Sequence, residues 1–387
     1  MIYKFITLAS SHALLRGSKF VFFLAMTNIL PKYIVAEYSY FTAIFSIVFV
    51  FSDFGIQTFL TKDMSTKKLS ILHIQLAWFR IIAFIVCGLF ISLIYWQTGE
   101  LVFVFVLLVF LSETILAMHL AHLRAKEASN QENIIHICTG LAYMLMSILI
   151  FLKVDVAIVF LCFGVFLFLF SVKIGFFVKL NFLYYFLKSL DFEFVKIVLR
   201  KSTFIFVGSL ATLVYLRIDI IMIELFEIKD AVIYYAIASR ILELSLIVPS
   251  VISVILLPVL SKIKTTTIKT DFALHFAIGV CVMLFFFAVS HYIIDILFHQ
   301  FEQTLLVLYI LLCSIPFMLV NNYAFTYLVA NSHSKYYAYT TCFMAILNVL
   351  LNAIFIAIYG YKAAVYTTVL TEVVGSCVSI YYIYKII

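Results

Sequence analysis

Runs of about twenty apolar residues follow one another along the whole 387-residue chain, with short polar segments between them. A helix of this length crosses the hydrocarbon core of a bilayer, which is about 30 Å thick. The runs lack the alternation of apolar and polar residues that a membrane β-barrel requires. Twelve helical spans are predicted, at about residues 7–30, 38–54, 71–95, 101–123, 133–152, 156–178, 202–225, 231–259, 272–297, 303–329, 337–358 and 363–383.

The scarcity of charged residues excludes a soluble fold. Only 12% of the residues are charged and 66% are hydrophobic, and the mean hydropathy is +1.18. Soluble domains carry about 25% charged residues, which cover their surface. The connections between the spans are too short for a catalytic domain, and the sequence contains no P-loop, HExxH or GxSxG motif. We therefore predict an all-α integral membrane protein that is not an enzyme and needs no cofactor.

Lysine and arginine residues are distributed unevenly between the two ends of the predicted spans. If the N-terminus is inside the cell, 17 of the 26 lie in cytoplasmic segments and only four lie on the opposite side. Such an excess is typical of the cytoplasmic loops of membrane proteins. Both termini are predicted to be cytoplasmic, and residues 7–30 to be a retained span rather than a signal peptide. Because topology explains the net charge of +7, no nucleic-acid partner is expected.

The longest connection, residues 179–201, lies at the middle of the chain and mixes Phe, Leu and Tyr with Lys and Arg. This mixture predicts an amphipathic helix on the cytoplasmic membrane surface, where basic side chains reach the lipid headgroups. The two halves also resemble each other weakly, since a shift of 197 positions aligns Lys32 with Lys229. We therefore predict two six-helix bundles, residues 1–178 and 202–387, joined by this linker.

Five basic residues fall inside the predicted spans. An ionised side chain at bilayer depth costs at least about 2.5–3.5 kcal/mol, so such residues face a polar cavity or a charged partner. A guanidinium matches the oxygen atoms of a phosphate, which makes the five residues candidates for binding an anionic ligand. They are Arg16, Lys19, Arg80, Arg217 and Arg240, of which the first two are one helical turn apart.

The alternative is that nearby carboxylates neutralise these cations within the protein. Three carboxylates, Glu113, Asp219 and Glu372, lie inside predicted spans. Each is a candidate for carrying H⁺ or Na⁺ in coupled transport, and the alternative role is that of a structural counter-ion. The pairs expected for neutralised cations are Arg240 with Glu243, Arg80 with Glu113, and Arg217 with Asp219 or Glu372.

Other polar residues and two prolines also occur in the spans. His119, His122 and His136 are expected to be polar caps rather than a metal site, because no cysteine or carboxylate cluster accompanies them. Pro249 and Pro316 predict kinks in spans eight and ten. Eight residues are expected to join helices by hydrogen bonds, or alternatively to contact sugar rings: Tyr215, Tyr234, Tyr235, Asn321, Asn322, Tyr323, Asn348 and Asn352.

A longer motif surrounds the junction of spans seven and eight. Asp219 lies late in span seven, residues 235–243 after a short hinge read YAIASRILE, and Pro258 lies near the end of span eight. With this motif, residues 199–262 resemble the start of the second half of Wzx-type polysaccharide flippases. Those proteins belong to the multidrug/oligosaccharidyl-lipid/polysaccharide exporter superfamily, which is abbreviated as the MOP superfamily. The first half is similar to the family in Arg16, Lys19, Glu37-Tyr38 and Gly55-Ile56-Gln57-Thr58.

The resemblance implies an inverted-V transporter fold around a central cationic cavity in the inner membrane of a bacterium. It implies that the cavity carries a polyprenyl-diphosphate-linked oligosaccharide, such as an O-antigen unit of lipopolysaccharide, across the membrane by alternating access. Membrane lipids, a glycan polymerase and a chain-length regulator are the partners it implies. Two alternatives stay open: a multidrug exporter of the same superfamily, with acidic rather than basic cavity residues, and a membrane glycan polymerase or ligase.

Overall fold

The computed structural model describes residues 2–56, 80–89, 91, 101–125, 129–177, 192–226, 229–246, 268–331 and 333–386. Throughout these ranges the backbone forms helices joined by short turns, and it forms no β-strand. The helices are α1 (Ile2–Ile29), α2 (Lys32–Asp53), α3 (Arg80–Leu89), α4 (Leu101–Ala125), α5 (Ser129–Phe151), α6 (Val156–Phe177), α7 (Phe192–Phe226), α8 (Lys229–Ser245), α9 (Ile268–Leu297), α10 (Thr304–Leu312), α11 (Ile315–Ala330), α12 (Ser334–Tyr359) and α13 (Lys362–Ile386).

Seven of the described helices are long and apolar enough to cross a membrane, and the bent pair α10 and α11 forms an eighth if it counts as one crossing. A helix suits this environment because lipid offers no hydrogen-bond partners, so the backbone must satisfy its own polar groups. Large apolar side chains such as Ile296 and Tyr359 are exposed on the outside, where lipid would contact them. The predicted all-α membrane fold is confirmed, and the chain is a multi-pass membrane protein.

The tenth predicted span is broken in the structure. Helices α10 and α11 meet at 44°, and Pro316 lies in the first turn of α11. Proline has no backbone N–H and its ring collides with the preceding turn, so the helix cannot continue straight through it. The kink predicted at Pro316 is confirmed, whereas Pro249 lies outside the described residues. Gly279 of α9 packs at this kink, where an added Cβ would lie 2.5 Å from Cα of Pro316.

The chain divides into two compact units, unit 1 (Met1–Phe206) and unit 2 (Val207–Ile387). In unit 1, α1 packs along α5, α4 along α6, and α2 against α4. In unit 2, α12 packs along α13, α9 along α11, and α8 against α10. The boundary between the units falls inside α7, which runs unbroken from Phe192. Residues 178–191, which make up most of the predicted linker, lie outside the described part of the chain.

The start of α7 is fixed to the end of α2 within unit 1. Ser202 Oγ donates a 2.9 Å hydrogen bond to the carbonyl oxygen of Phe54, whose ring stacks on Phe206 with 4.0 Å between ring centroids. Gly55 follows with φ +71°, and an added Cβ there would lie 3.1 Å from the Ser202 carbonyl oxygen. Only glycine adopts this backbone conformation readily, which explains the glycine that opens the motif at residues 55–58.

Candidate functional site

A buried polar cluster in unit 2 surrounds Asp219, near the end of α7. Only 1% of Asp219 is exposed. Asn352 Nδ2 from α12 donates a hydrogen bond of 2.5 Å to Asp219 Oδ1, and Thr368 Oγ1 from α13 donates one of 2.7 Å to Oδ2. Tyr235 Oη from α8 donates to the same Oδ2. Side chains from four helices therefore meet at one carboxylate, which we call the Asp219 cluster.

The Asp219 cluster extends beyond the atoms that contact the carboxylate. Asn348 Oδ1 accepts a hydrogen bond of 3.1 Å from Asn352 Nδ2, and Thr367 Oγ1 donates to Asn352 Oδ1. Both asparagines are fully buried. The side chain of Asn348 also interacts with Asp219, so both asparagines of α12 support the same carboxylate.

The hydrogen-bond partners of Asp219 are all uncharged: a phenol, a hydroxyl and an amide. Burying an ionised carboxylate without an opposite charge is costly, and hydrogen bonds offset only part of that cost. A proton or a metal cation bound at the carboxylate would remove the charge. Carboxylate, amide and hydroxyl oxygen atoms are also the ligands that hard cations prefer. The Asp219 cluster therefore has the chemistry to hold H⁺ or Na⁺.

A second buried carboxylate, Glu372, lies on α13 one turn beyond Thr368. It is fully buried, and it accepts hydrogen bonds from Asn321 Nδ2 at 2.7 Å and from Tyr215 Oη at 2.9 Å. Asn321 Oδ1 in turn accepts a hydrogen bond of 3.2 Å from Ser379 Oγ. The two side chains that donate to Glu372 are again neutral. Glu372 thus repeats, with different side chains, the arrangement at Asp219.

The two carboxylates belong to one continuous contact between α7 and α13. Tyr215 of α7 bonds to Glu372, and Asp219, four residues later in α7, bonds to Thr368, four residues earlier in α13. A spacing of four residues places side chains on the same helix face, so the two helices run antiparallel here with their polar faces together. Each helix contributes one carboxylate and one hydroxyl group. Asp219 and Glu372 therefore join the same two helices, and a change in the charge of Asp219 alters the contact that Glu372 also stabilises.

Two arginines of unit 2 share a single carboxylate. Arg217 Nη1 lies 2.5 Å from Glu243 Oε1, and Arg240 Nη1 lies 3.1 Å from Glu243 Oε2. Both guanidinium groups therefore lie at one carboxylate, one at each of its oxygen atoms. Arg217 Nε is also buried without a hydrogen-bond partner among the described residues. The two arginines can accept an anion beside Arg217 through guanidinium hydrogen bonds.

Two of the predicted anion-binding residues, Arg80 and Lys19, lie in unit 1 beside carboxylates. Arg80, fully buried, lies 2.7 Å from Asp53 Oδ1, and its guanidinium lies 4.6 Å from the ring centroid of Phe49. Lys19 Nζ contacts Glu113 Oε1. Arg80 is buried and therefore needs its counter-ion, whereas Lys19 is 40% exposed and its pair is partly solvated or lipid-facing.

The structure thus places four of the five predicted anion-binding cations beside carboxylates. The expected pair of Arg240 with Glu243 is present. The other expected pairs are wrong, because Arg80 contacts Asp53, Glu113 contacts Lys19, and Arg217 contacts Glu243. The fifth cation, Arg16, has an exposed side chain on α1. Anion binding by these residues, and ion coupling by Glu113, Asp219 and Glu372, stay predictions.

The sequence does not distinguish the two threonines of the Asp219 cluster from other residues in apolar runs. Thr367 and Thr368 lie in a helix where hydroxyl groups commonly bond to their own backbone, and both do so here as well. One signal was present: Thr368 precedes Glu372 by four residues, which puts a hydroxyl and a carboxylate on one face. That signal identifies a polar face but not the aspartate opposite it.

Several solved structures share this fold. An inward-facing multidrug resistance MATE family transporter of the MOP superfamily matches with a TM-score of 0.70 and 14% identity over 96% of this chain and 93% of that chain. The lipid II flippase MurJ, in an inward closed conformation, matches with a TM-score of 0.66 and 16% identity over 99% and 88% of the two chains. A MOP superfamily transporter from Pyrococcus furiosus, described as having a binding pocket of reverse polarity, has a TM-score of 0.66 and 13% identity over 98% and 94%.

No family profile matches the sequence. No curated protein matches it either. The solved structures cover almost the whole chain, but their identities are all well below 25%. Similarity of this kind establishes a shared fold, and function must be argued from the site itself.

Proposed function

We propose that this chain, which has the fold of the MOP superfamily transporters, is a cation-coupled transporter in which Asp219 holds the coupling ion. The observation that carries the proposal is the Asp219 cluster: a carboxylate with 1% exposure, inside a membrane helix, held by neutral groups from three other helices. Intramembrane ionisable residues of this kind are functional by default, and transporter sites place them between helices.

Binding of an ion at Asp219 would change how strongly α7, α8, α12 and α13 are held together. With H⁺ or Na⁺ bound, the carboxylate is neutralised and the four helices share a satisfied network. Without the ion, a charged carboxylate remains buried, which favours any conformation that exposes it to water. A ligand that binds one conformation more tightly shifts the population toward it. This difference in stability is the physical basis for coupling ion movement to transport.

For the substrate we propose a polyprenyl-diphosphate-linked oligosaccharide, so that the protein is a flippase of surface-glycan synthesis in a bacterial inner membrane with both termini cytoplasmic. Support comes from the two arginines gathered at Glu243, Arg217 and Arg240, because guanidinium groups match the oxygen atoms of an anionic diphosphate. The fold shared with the lipid II flippase MurJ is consistent with a lipid-linked substrate. A glycan polymerase and a chain-length regulator would be its partners in that process.

A multidrug exporter is the second candidate, because the chain shares its fold equally with multidrug resistance MATE transporters. The buried carboxylates Asp219 and Glu372 would then attract a cationic drug rather than an ion. The sign of the charge on the transported molecule distinguishes the two functions. An anionic lipid-linked sugar requires the arginines, and a cationic drug requires the carboxylates.

The test of ion coupling uses the purified protein in proteoliposomes. We expect uptake of a labelled polyprenyl-diphosphate oligosaccharide to depend on a Na⁺ or H⁺ gradient in the wild type. Asp219→Asn keeps the size of the side chain and removes its charge, so this dependence should disappear. Asp295→Asn, an exposed carboxylate of α9, is the matched control and should behave as the wild type.

Gradient-dependent transport that survives in Asp219→Asn would refute the role of Asp219 while leaving the substrate intact. If the wild type instead moves an organic cation such as ethidium and not the diphosphate, the multidrug function replaces the flippase.

A further inference from the structure

A separate group of ionisable side chains lies in unit 1, where α1 packs along α5. His12 of α1 faces Glu132 and His136 of α5. His136 Nε2 lies 3.4 Å from Glu132 Oε1, and His12 Nε2 lies 3.7 Å from the same oxygen. The two imidazole rings are 4.2 Å apart between centroids. One potential ligand atom from each residue lies within 4.8 Å of the others.

Two imidazoles and one carboxylate form a known set of zinc ligands. Zn²⁺ binds histidine nitrogen and carboxylate oxygen at about 2.0–2.2 Å, so the donor atoms of a tetrahedral site lie about 3.3–3.5 Å apart. The separations of the two histidine nitrogens from Glu132 Oε1, 3.4 and 3.7 Å, are close to that value, and all three donor atoms lie within 4.8 Å of one another. Calcium and magnesium prefer oxygen ligands alone, so this donor set favours a transition metal or zinc.

The residues around this group hold its side chains in place between α1 and α5. Glu132 and His136 are one helical turn apart on one face of α5, and their side chains are only 2% and 5% exposed. Next to them, Ser11 Oγ of α1 donates a 2.9 Å hydrogen bond to Asn133 Oδ1 of α5, which fixes the two helices relative to each other. The side chain of His12 is 38% exposed, which leaves one side of the group accessible.

A simpler role explains only part of this arrangement. Glu132 lies in the first turn of α5, where the positive end of the helix dipole stabilises a carboxylate. That effect accounts for Glu132 alone. It gives no reason for two histidines, from two helices, to converge on the same carboxylate oxygen.

We propose that His12, Glu132 and His136 form a Zn²⁺-binding site that fastens α1 to α5. The three side chains supply three ligands, and a water molecule on the exposed side of His12 completes the tetrahedron. The site is in a different unit from Asp219 and does not depend on the proposed transport function. The expectation that His136 is a polar cap is replaced here by a role as a metal ligand, since Glu132 and His12 lie beside it.

The test is a zinc titration of the full-length protein in detergent, purified without a polyhistidine tag and stripped of metal. Competition with a chromophoric zinc chelator measures stoichiometry and affinity. We expect one tightly bound Zn²⁺ per chain. His12→Asn, Glu132→Gln and His136→Asn should each weaken binding about tenfold or more, the loss caused even by removing an outer-shell partner of a metal. His291→Asn, at an exposed histidine of unit 2, is the control and should bind as the wild type.

A second measurement guards against misfolded variants. Zinc that binds only the folded state should raise the unfolding temperature of the wild type and of His291→Asn, and should leave that of His12→Asn unchanged. His12 is partly exposed, so its replacement should fold normally in the absence of metal. The proposal is overturned if the wild type binds no more zinc than His12→Asn. It is equally overturned if all three site variants keep the affinity of the wild type.

Discussion

The carboxylates inside the two units are satisfied in different ways. In unit 1, Asp53 contacts the buried guanidinium of Arg80, and Glu113 contacts Lys19. In unit 2, Asp219 and Glu372 are more deeply buried than Asp53 and Glu113, and their hydrogen-bond partners are tyrosines, asparagines and a threonine. A carboxylate paired with a fixed cation has no need of a mobile one. A carboxylate held by neutral donors lacks such a counter-ion among those contacts, and it is the proposed place for a coupling ion.

The same contrast applies to the basic residues. Arg80 contacts Asp53, whereas Arg217 and Arg240 both contact Glu243. The ion pairs of unit 1 join α2 to α3 and α1 to α4. Unit 2 joins α7 to α8 through Arg217 and Glu243, and in addition it buries two carboxylates that accept hydrogen bonds from neutral donors. Three variants test this difference, in order of decreasing effect on stability.

Asp53→Ala should cause the largest loss of stability. It leaves the buried guanidinium of Arg80 without the carboxylate it contacts, and breaking a buried ion pair in this way costs about 3–5 kcal/mol. Chemical unfolding in detergent micelles measures the free energy of unfolding. The double variant Asp53→Ala with Arg80→Met should recover most of the loss, because no unbalanced charge remains. If the single variant unfolds at the wild-type denaturant concentration, the pair is not structural.

Thr368→Val should have an intermediate effect. Valine has the shape of threonine but removes the hydroxyl that donates to Asp219 Oδ2, and an unmade buried hydrogen bond costs about 1–3 kcal/mol. The change of the free energy of unfolding with Na⁺ concentration or pH should also become smaller, since Asp219 Oδ2 is a candidate ion ligand. Thr326→Val, in α11 of the same unit and only partly buried, is the control. Ion dependence that is identical in the wild type and in Thr368→Val would place the ion elsewhere.

Arg217→Ala should have the smallest effect on stability, below about 1 kcal/mol, because the pair is partly exposed and Glu243 keeps its contact with Arg240. Transport of the diphosphate-linked substrate should nevertheless fall strongly, while the protein remains inserted in the membrane. Lys269→Ala, an exposed residue of α9, controls for loss of surface charge. Wild-type transport by a well-expressed Arg217→Ala protein would remove Arg217 from the substrate path.

Much of the fold follows from local properties of the sequence. The apolar runs predict the helices because each run must satisfy its own backbone within lipid, and this requirement does not depend on neighbouring helices. Pro316 predicts the break between α10 and α11 for an equally local reason, the missing N–H. Asp219 and Glu372 are also identifiable from the sequence, as rare ionisable residues in apolar surroundings.

The partners of these residues are not local. Arg80 and Asp53 are far apart in the chain, as are Asp219 and Thr368, and no spacing rule connects them. His12 and Glu132 likewise meet only because α1 packs along α5. Pairing rules within one helix identify the contact of Arg240 with Glu243 but fail for the contacts of Arg80 and Arg217, which join different helices.

The sequence alone determines that this chain crosses the membrane as helices, because the cost of unsatisfied backbone groups in lipid is the same for every segment. It also determines which few residues bring charge into that environment. Only the tertiary structure decides whether each charge meets an opposite charge or a neutral donor, since that depends on which helix faces are packed together. In this protein, helix packing places Asp53 beside Arg80 in unit 1 and places Asp219 among neutral donors in unit 2.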